Sequence, residues 1–114
     1  MDNRIKKYQS FILGFLNDQA EQMDNPPESV SYVIADKENH HYQLVLTGWK
    51  GIKRTHTIPF HFDIIDGKIW VQLNNTDVNL DAVFDEAGIP KKDIVVGWHP
   101  DSYRKMEGYE YGIA

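Results

Sequence analysis

Cysteine is absent from the 114 residues, which excludes disulfides and thiolate metal sites; the redox compartment stays open, with the cytoplasm expected. Long apolar runs are absent as well. The longest, Phe11-Ile12-Leu13-Gly14-Phe15-Leu16, lies inside an amphipathic pattern and falls far short of the roughly 20 residues a membrane span needs. No secretory leader pattern opens the chain, so a protein without membrane contact is expected. Gly-rich phosphate loops, Gly-x-Ser-x-Gly elbows and His-Glu-x-x-His helices are missing, which argues against a standard enzyme. Arginine is scarce. Arg4, Arg54 and Arg104 cannot build the multi-arginine clamp of a tyrosine recombinase, whatever the six tyrosines suggest. Twelve Lys and Arg stand against seventeen Asp and Glu, a net charge of −5, so stand-alone binding to phosphate backbones is not expected and any DNA contact is indirect or weak.

What is present reads as one domain over residues 1–114, long enough to bury roughly two-thirds of the surface its unfolded chain exposes. Ile5, Tyr8, Phe11, Ile12, Phe15, Leu16 and Met23 recur at helical spacing, which predicts an amphipathic helix over residues 3–23 that Pro26 and Pro27 stop. Val30, Tyr32 and Ile34, then Tyr42, Leu44 and Leu46, alternate with their neighbours as the inner sets of two strands joined by a polar loop. Lys50-Gly51 turns the chain into a third strand, in which Pro59, lacking an N–H, requires an edge or a bulge. Leu80, Val83, Phe84 and Ala87 mark a helix over about 77–87, capped by Thr76 or Asp77 and ended by Gly88. Pro90 opens one further turn before Ile94-Val95-Val96. Tyr109, Tyr111 and Ile113 alternate like a strand that pairs with a sheet edge of this chain or of a partner. The expected class is α+β: an N-terminal helix, a four-stranded antiparallel meander, a short C-terminal helix and a tail, with the helices on one sheet face.

Residues 61–72 constrain this plan most. Asp66-Gly67 supplies the two positive-φ residues of a type I′ turn, so Ile65 faces Lys68 and partners sum to 133. Phe60/Leu73, Phe62/Val71 and Ile64/Ile69 then form an apolar ladder that lies on the core. His61/Gln72, Asp63/Trp70 and Ile65/Lys68 take the opposite face, where a tryptophan is more than a solvated surface needs. His61, Asp63, Trp70 and Gln72, with Tyr109 and Tyr111 of the tail, are the interface candidates. Apolar residues on both faces, among them Val33, Val45, Ile65 and Trp70, predict a homo-oligomer.

Other candidates have plainer explanations. Asp63…Asp66-Gly67-Lys68 superficially resembles the carboxylate-carboxylate-lysine set of metal-dependent nucleases, but the turn already accounts for Asp66 and Gly67. Histidines at 40, 41, 56, 61 and 99 show no convergence from spacing, so no metal or cofactor is expected; His61 is the best placed of the five, as an interface group or a general base. Trp49, Lys50, Lys53 and Arg54 form the densest basic and aromatic segment. It reads as a solvated turn, with nucleic-acid contact as the alternative.

With these residues in place, the chain resembles the XisI family, the fdxN element excision controlling factor proteins known mainly from cyanobacteria. The resemblance runs nearly end to end, through His41-Tyr42-Gln43-Leu44, Gly48-Trp49 with Arg54, residues 61–72, residues 88–97 from Gly88 to Gly97, and His99-Pro100. Thr76-Asp77 with Asn79, and the ending Glu110-Tyr111-Gly112-Ile113-Ala114, depart mildly from the family pattern. What the resemblance implies is an accessory role, beside a recombinase and a XisH-type, restriction-endonuclease-like companion, in excising a DNA element. No catalytic residues carry over. An acidic inhibitor or antitoxin-like partner of a XisH-type nuclease is the alternative, since a protein that occupies a basic DNA cleft is acidic; a small metal-dependent enzyme stands behind both.

Overall fold

The structure, a computed structural model, describes residues 3–113. A helix α1 (Asn3–Met23) precedes strands β1 (Ser29–Asp36), β2 (His41–Lys50), β3 (Lys53–Ile65) and β4 (Lys68–Asn74). Helix α2 (Leu80–Glu86), a single 3-10 turn over Lys91–Asp93, strand β5 (Ile94–Val96) and a short helix α3 (Asp101–Arg104) complete the order. The five strands form one sheet in the order β1-β2-β3-β4-β5, so the expected α+β architecture holds and gains a strand. The added strand β5 runs parallel to β4, with α2 in the crossover between them.

Both longer helices pack on one sheet face. Tyr8, Ile12 and Leu16 of α1 are buried against Phe60, Phe62, Ile69 and Val71, while Phe84 brings α2 onto Phe11 and Phe62. Phe15 meets Phe60 edge-on at 5.1 Å, the arrangement that the ring quadrupoles favour. Helix α2 begins later than the expected residue 77. Asn79, not Thr76 or Asp77, caps it through the Ala82 N–H, because Asn74 holds Thr76 in a turn of its own. Its end follows the expectation: Gly88 takes φ +74°, its N–H donates to Asp85 and the Ile89 N–H to Phe84, closing a Schellman motif.

Three registers depart from the simple pattern, each for an identifiable reason. Four loop residues separate Asp36 from His41, so β1–β2 partners sum to an odd number, and Tyr42 and Leu44 face Ala35 and Val33. The expected inner set Val30, Tyr32 and Ile34 is therefore on the outer face, exposed, while Val33 packs on the core and the Ser31 hydroxyl donates to the Ala20 carbonyl of α1. Pro59 sits at a bulge on β3, where Leu44 pairs Phe60 but Leu46 pairs Thr57. In the 61–72 hairpin the 133 register holds from Ile65/Lys68 to Phe62/Val71. One extra residue, Gln72, then shifts it, so that His61 faces Leu73 and Phe60 faces Asn74. Asp66 and Gly67 take φ +52° and +74°, as the turn requires.

The tail is not a strand. Its Gly112 N–H donates to the carbonyls of Lys91 and Ile94, which docks it on its own chain beside β5.

Candidate functional site

The outer face of the sheet gathers the polar residues that alternation sends away from the core. Asp63 is at its centre, pointing outward between Phe62 and Ile64, yet only 7% exposed. The β2–β3 pairing places His41 directly opposite it, and His61 lies two residues along the same strand and therefore on the same face. His41 Nδ1 and His61 Nε2 each approach Asp63 Oδ1 at 2.8 Å, and Gln72 Nε2 donates to Oδ2 at 3.1 Å. The bulge at Gln72 does not remove that residue from the site, because its side chain still reaches the carboxylate. Gln43 Nε2 donates to His61 Nδ1 at 3.0 Å, which places the His61 proton on Nε2, facing the carboxylate.

Opposing effects act on the carboxyl. Burial presses its pKa upward, but the hydrogen bonds from His41, His61 and Gln72 together outweigh that, and Asp63 lies below its usual value. The same hydrogen bond, with the negative charge behind it, raises His41 above an ordinary histidine. His41 is the open side of the group, its side chain 56% exposed against 26% for His61. An imidazole held by a carboxylate with its second nitrogen outward can act as a base, a hydrogen-bonding group or a ligand. One ligand atom from each of His41, His61 and Asp63 lies within 4.8 Å of the other two.

The remaining candidates fall into separate places. Trp70 shares the outer face but is half-buried, with the Arg104 guanidinium 5.1 Å from its ring centroid. Arg104 is itself buried and anchored on the Val96 and Gly97 carbonyls. Tyr109 and Tyr111 pack around His99 with Tyr103; the His99 ring lies 5.8 Å from Tyr109, and Tyr111 donates to Asp81 at 2.6 Å. Burial and that carboxylate push the Tyr111 phenol up to about 12. Lys68 Nζ donates to the Ile113 carbonyl and Asp66 occupies the turn, so the nuclease-like set is not assembled around Asp63. Trp49, Lys50, Lys53 and Arg54 do come together, as the cross-strand pairs Trp49/Arg54 and Lys50/Lys53 at the tip of the β2–β3 hairpin, with Arg54 over the indole at 5.3 Å.

His41 is the member that sequence spacing does not find. A two-residue turn at Gly51-Ile52 alone would set partners to sum to 103 and put Phe62 opposite His41. The bulge at Pro59 adds one, and Asp63 takes that place. The signal was the proline, but a bulge inferred from a proline does not state the register beyond it.

Beside β1 the outer face is apolar and open. Val30, Tyr32 and Ile34 are 45%, 43% and 49% exposed on β1, the edge strand of the sheet.

Comparison with known proteins supplies the family context. The XisI family model, described as XisI protein, matches residues 1–111. The crystal structure of a XisI-like protein from Anabaena variabilis is 35% identical, with a TM-score of 0.85, over 96% of this chain and 99% of that one. The crystal structure of fdxN element excision controlling factor XisI from the same organism is 28% identical, with a TM-score of 0.77, over 97% and 99% of the two chains. No curated protein matches.

Proposed function

The chain belongs to the XisI family, and on that premise we propose that it is an excision controlling factor acting through protein contacts, with a XisH-type protein as its partner. The observation that carries this reading is the unpartnered stripe of Val30, Tyr32 and Ile34 along the β1 edge. Three large apolar side chains in a row on an open edge strand are costly to leave in water and invite a partner strand. A net charge of −5 suits a partner whose own surface is basic, as that of a DNA-cleaving protein is.

Co-expression with a neighbouring XisH-type protein tests it. The two proteins are expected to co-purify, and Tyr32→Glu, which places a charge in the middle of the stripe, is expected to separate them without lowering the thermal melt. Analytical ultracentrifugation of the same samples reports self-association along the same edge. A DNA-cleavage and excision assay with and without this chain then separates two modes: an accessory factor raises excision, whereas an inhibitor lowers cleavage. Failure to co-purify, or a Tyr32→Glu protein that binds as tightly as the wild type, overturns the proposal.

A further inference from the structure

We propose that His41, His61 and Asp63 form a binding site for one divalent first-row transition cation, zinc being the best fit, on the outer face of the sheet. The site is independent of the excision reading and stands on the geometry of two strands. His41 and Asp63 are register partners across β2 and β3, and His61 is two residues from Asp63 on the same face, so the backbone already holds all three side chains on one side of the sheet. Their ligand atoms lie within 4.8 Å of one another, and each nitrogen is 2.8 Å from Asp63 Oδ1. A tetrahedral ion with bonds of about 2.0–2.1 Å separates its ligand atoms by roughly 3.3 Å. The cluster reaches that spacing by opening each nitrogen-oxygen contact by about 0.5 Å and drawing the two nitrogens together by up to about 1.5 Å, movements that side-chain torsions, chiefly of the exposed His41, supply.

The surrounding groups fit the same assignment. Ligation by His61 Nε2 moves its proton to Nδ1, where Gln43, with its amide turned over, accepts it through Oε1; ligation by His41 Nδ1 leaves its proton on the outward Nε2. Gln72 keeps Asp63 Oδ2 occupied at 3.1 Å and so fixes the plane of the carboxylate. Such outer partners orient metal ligands and are half of a working site. Two imidazoles and one carboxylate select zinc-like ions over magnesium and calcium, which take oxygen ligands. Three protein ligands leave a fourth position, and the exposed side of His41 leaves room there for water or for a group from a partner. The five-residue group also explains why a polar cluster of this size sits on a face whose neighbours Trp70 and Val45 are apolar.

Titration of the dialysed full-length protein with zinc chloride by calorimetry tests the site, with the absorption of the cobalt(II) form as a second reading of coordination geometry. One equivalent per chain is expected. His41→Ala and His61→Ala each lower the affinity by far more than tenfold, His56→Ala leaves it unchanged, and Gln72→Ala lowers it about 10–100-fold. Circular dichroism melts accompany every variant. His41 is exposed, so His41→Ala decides the matter even if His61→Ala fails to fold. The absence of zinc binding by the wild type at high micromolar metal overturns the proposal, as does binding that His41→Ala leaves unmoved, or equal affinity for magnesium.

Discussion

Phe62 and Trp70 belong to one hairpin and face opposite ways. Phe62 is fully buried among Phe15, Phe60 and Phe84, so truncation leaves a cavity at the junction of both helices and the sheet. Phe62→Ala is expected to cost about 3–5 kcal/mol, a large share of the about 5–15 kcal/mol that holds a domain together. At roughly 4 °C per kcal/mol for a domain of this size, its melt falls by on the order of 12 °C or more. Trp70 is half-buried on the outer face, with Arg104 beside its ring, so Trp70→Ala is expected to be milder. Thermal melts of the two variants check this. If Trp70→Ala unfolds the protein while Phe62→Ala leaves the melt unchanged, the assignment of faces is inverted. At this scale the sequence was readable where local chemistry dictates geometry: Asp66-Gly67 set four consecutive pairs by itself. It was not readable at His61/Leu73, because the extra residue at Gln72 has no signature of its own.

Whole elements were legible in proportion to their length. The 21 residues of α1 show several turns of helical period and end at a Pro-Pro pair, and their bounds follow directly. Strand β5 has three residues and α3 four, too few to show a period of 2 or of 3.6, and both are held by tertiary contacts. The phase of β1 turned on one residue of loop: a polar loop read as Asp36–His40 gives even partner sums and agrees with hydropathy, whereas in the structure Asp36 pairs with His41, the loop has four residues, and the sums are odd. The C-terminal segment shows how much a docked element depends on one position. A Cβ on Gly112 would collide with the Lys92 carbonyl and press on that of Ile94 at 3.2 Å, so Gly112→Ala is expected to lift the segment and release the Tyr111–Asp81 and Lys68–Ile113 hydrogen bonds. In Gly14→Ala the added methyl meets nothing, and the helix gains up to about 1 kcal/mol. Phenol titration by ultraviolet absorbance reads the difference. In the wild type, Tyr111 ionises at about 12, pushed up by burial first and by Asp81 second. In Gly112→Ala the Tyr111 phenol titrates closer to its ordinary value. Because the folded pKa is the higher one, this contact contributes stability in full below about pH 10 and loses it as pH rises toward the folded value. A Tyr111 phenol unmoved in Gly112→Ala means that the tail does not depend on that close approach.

At the scale of the molecule, charge and shape pull in different directions at the β2–β3 tip. This hairpin runs beyond the strand that flanks it on the β4 side, and it presents Trp49 at 55% and Ile52 at 99% exposure beside Lys50, Lys53 and Arg54. A protruding tip with an indole and three cations has the form of a nucleic-acid contact. Its strength is limited by number. With at most three phosphates neutralised, the salt dependence of duplex binding has a slope near −0.9 per contact, about −2.7 in all, and the gain from counterion release is correspondingly small. Arg54 lies over the Trp49 ring, and a domain carrying −5 overall repels the same backbone the tip would approach. The purified chain is therefore expected to show no sub-micromolar binding to duplex DNA at physiological salt, and no cleavage of it. Fluorescence anisotropy across a salt series measures both affinity and slope, and Lys53→Ala with Arg54→Ala reports whether the tip is the contact. Tight binding whose logarithm falls steeply with salt, and which the double substitution abolishes, would make this hairpin a DNA-reading element and replace the proposed action through protein contacts with direct DNA binding.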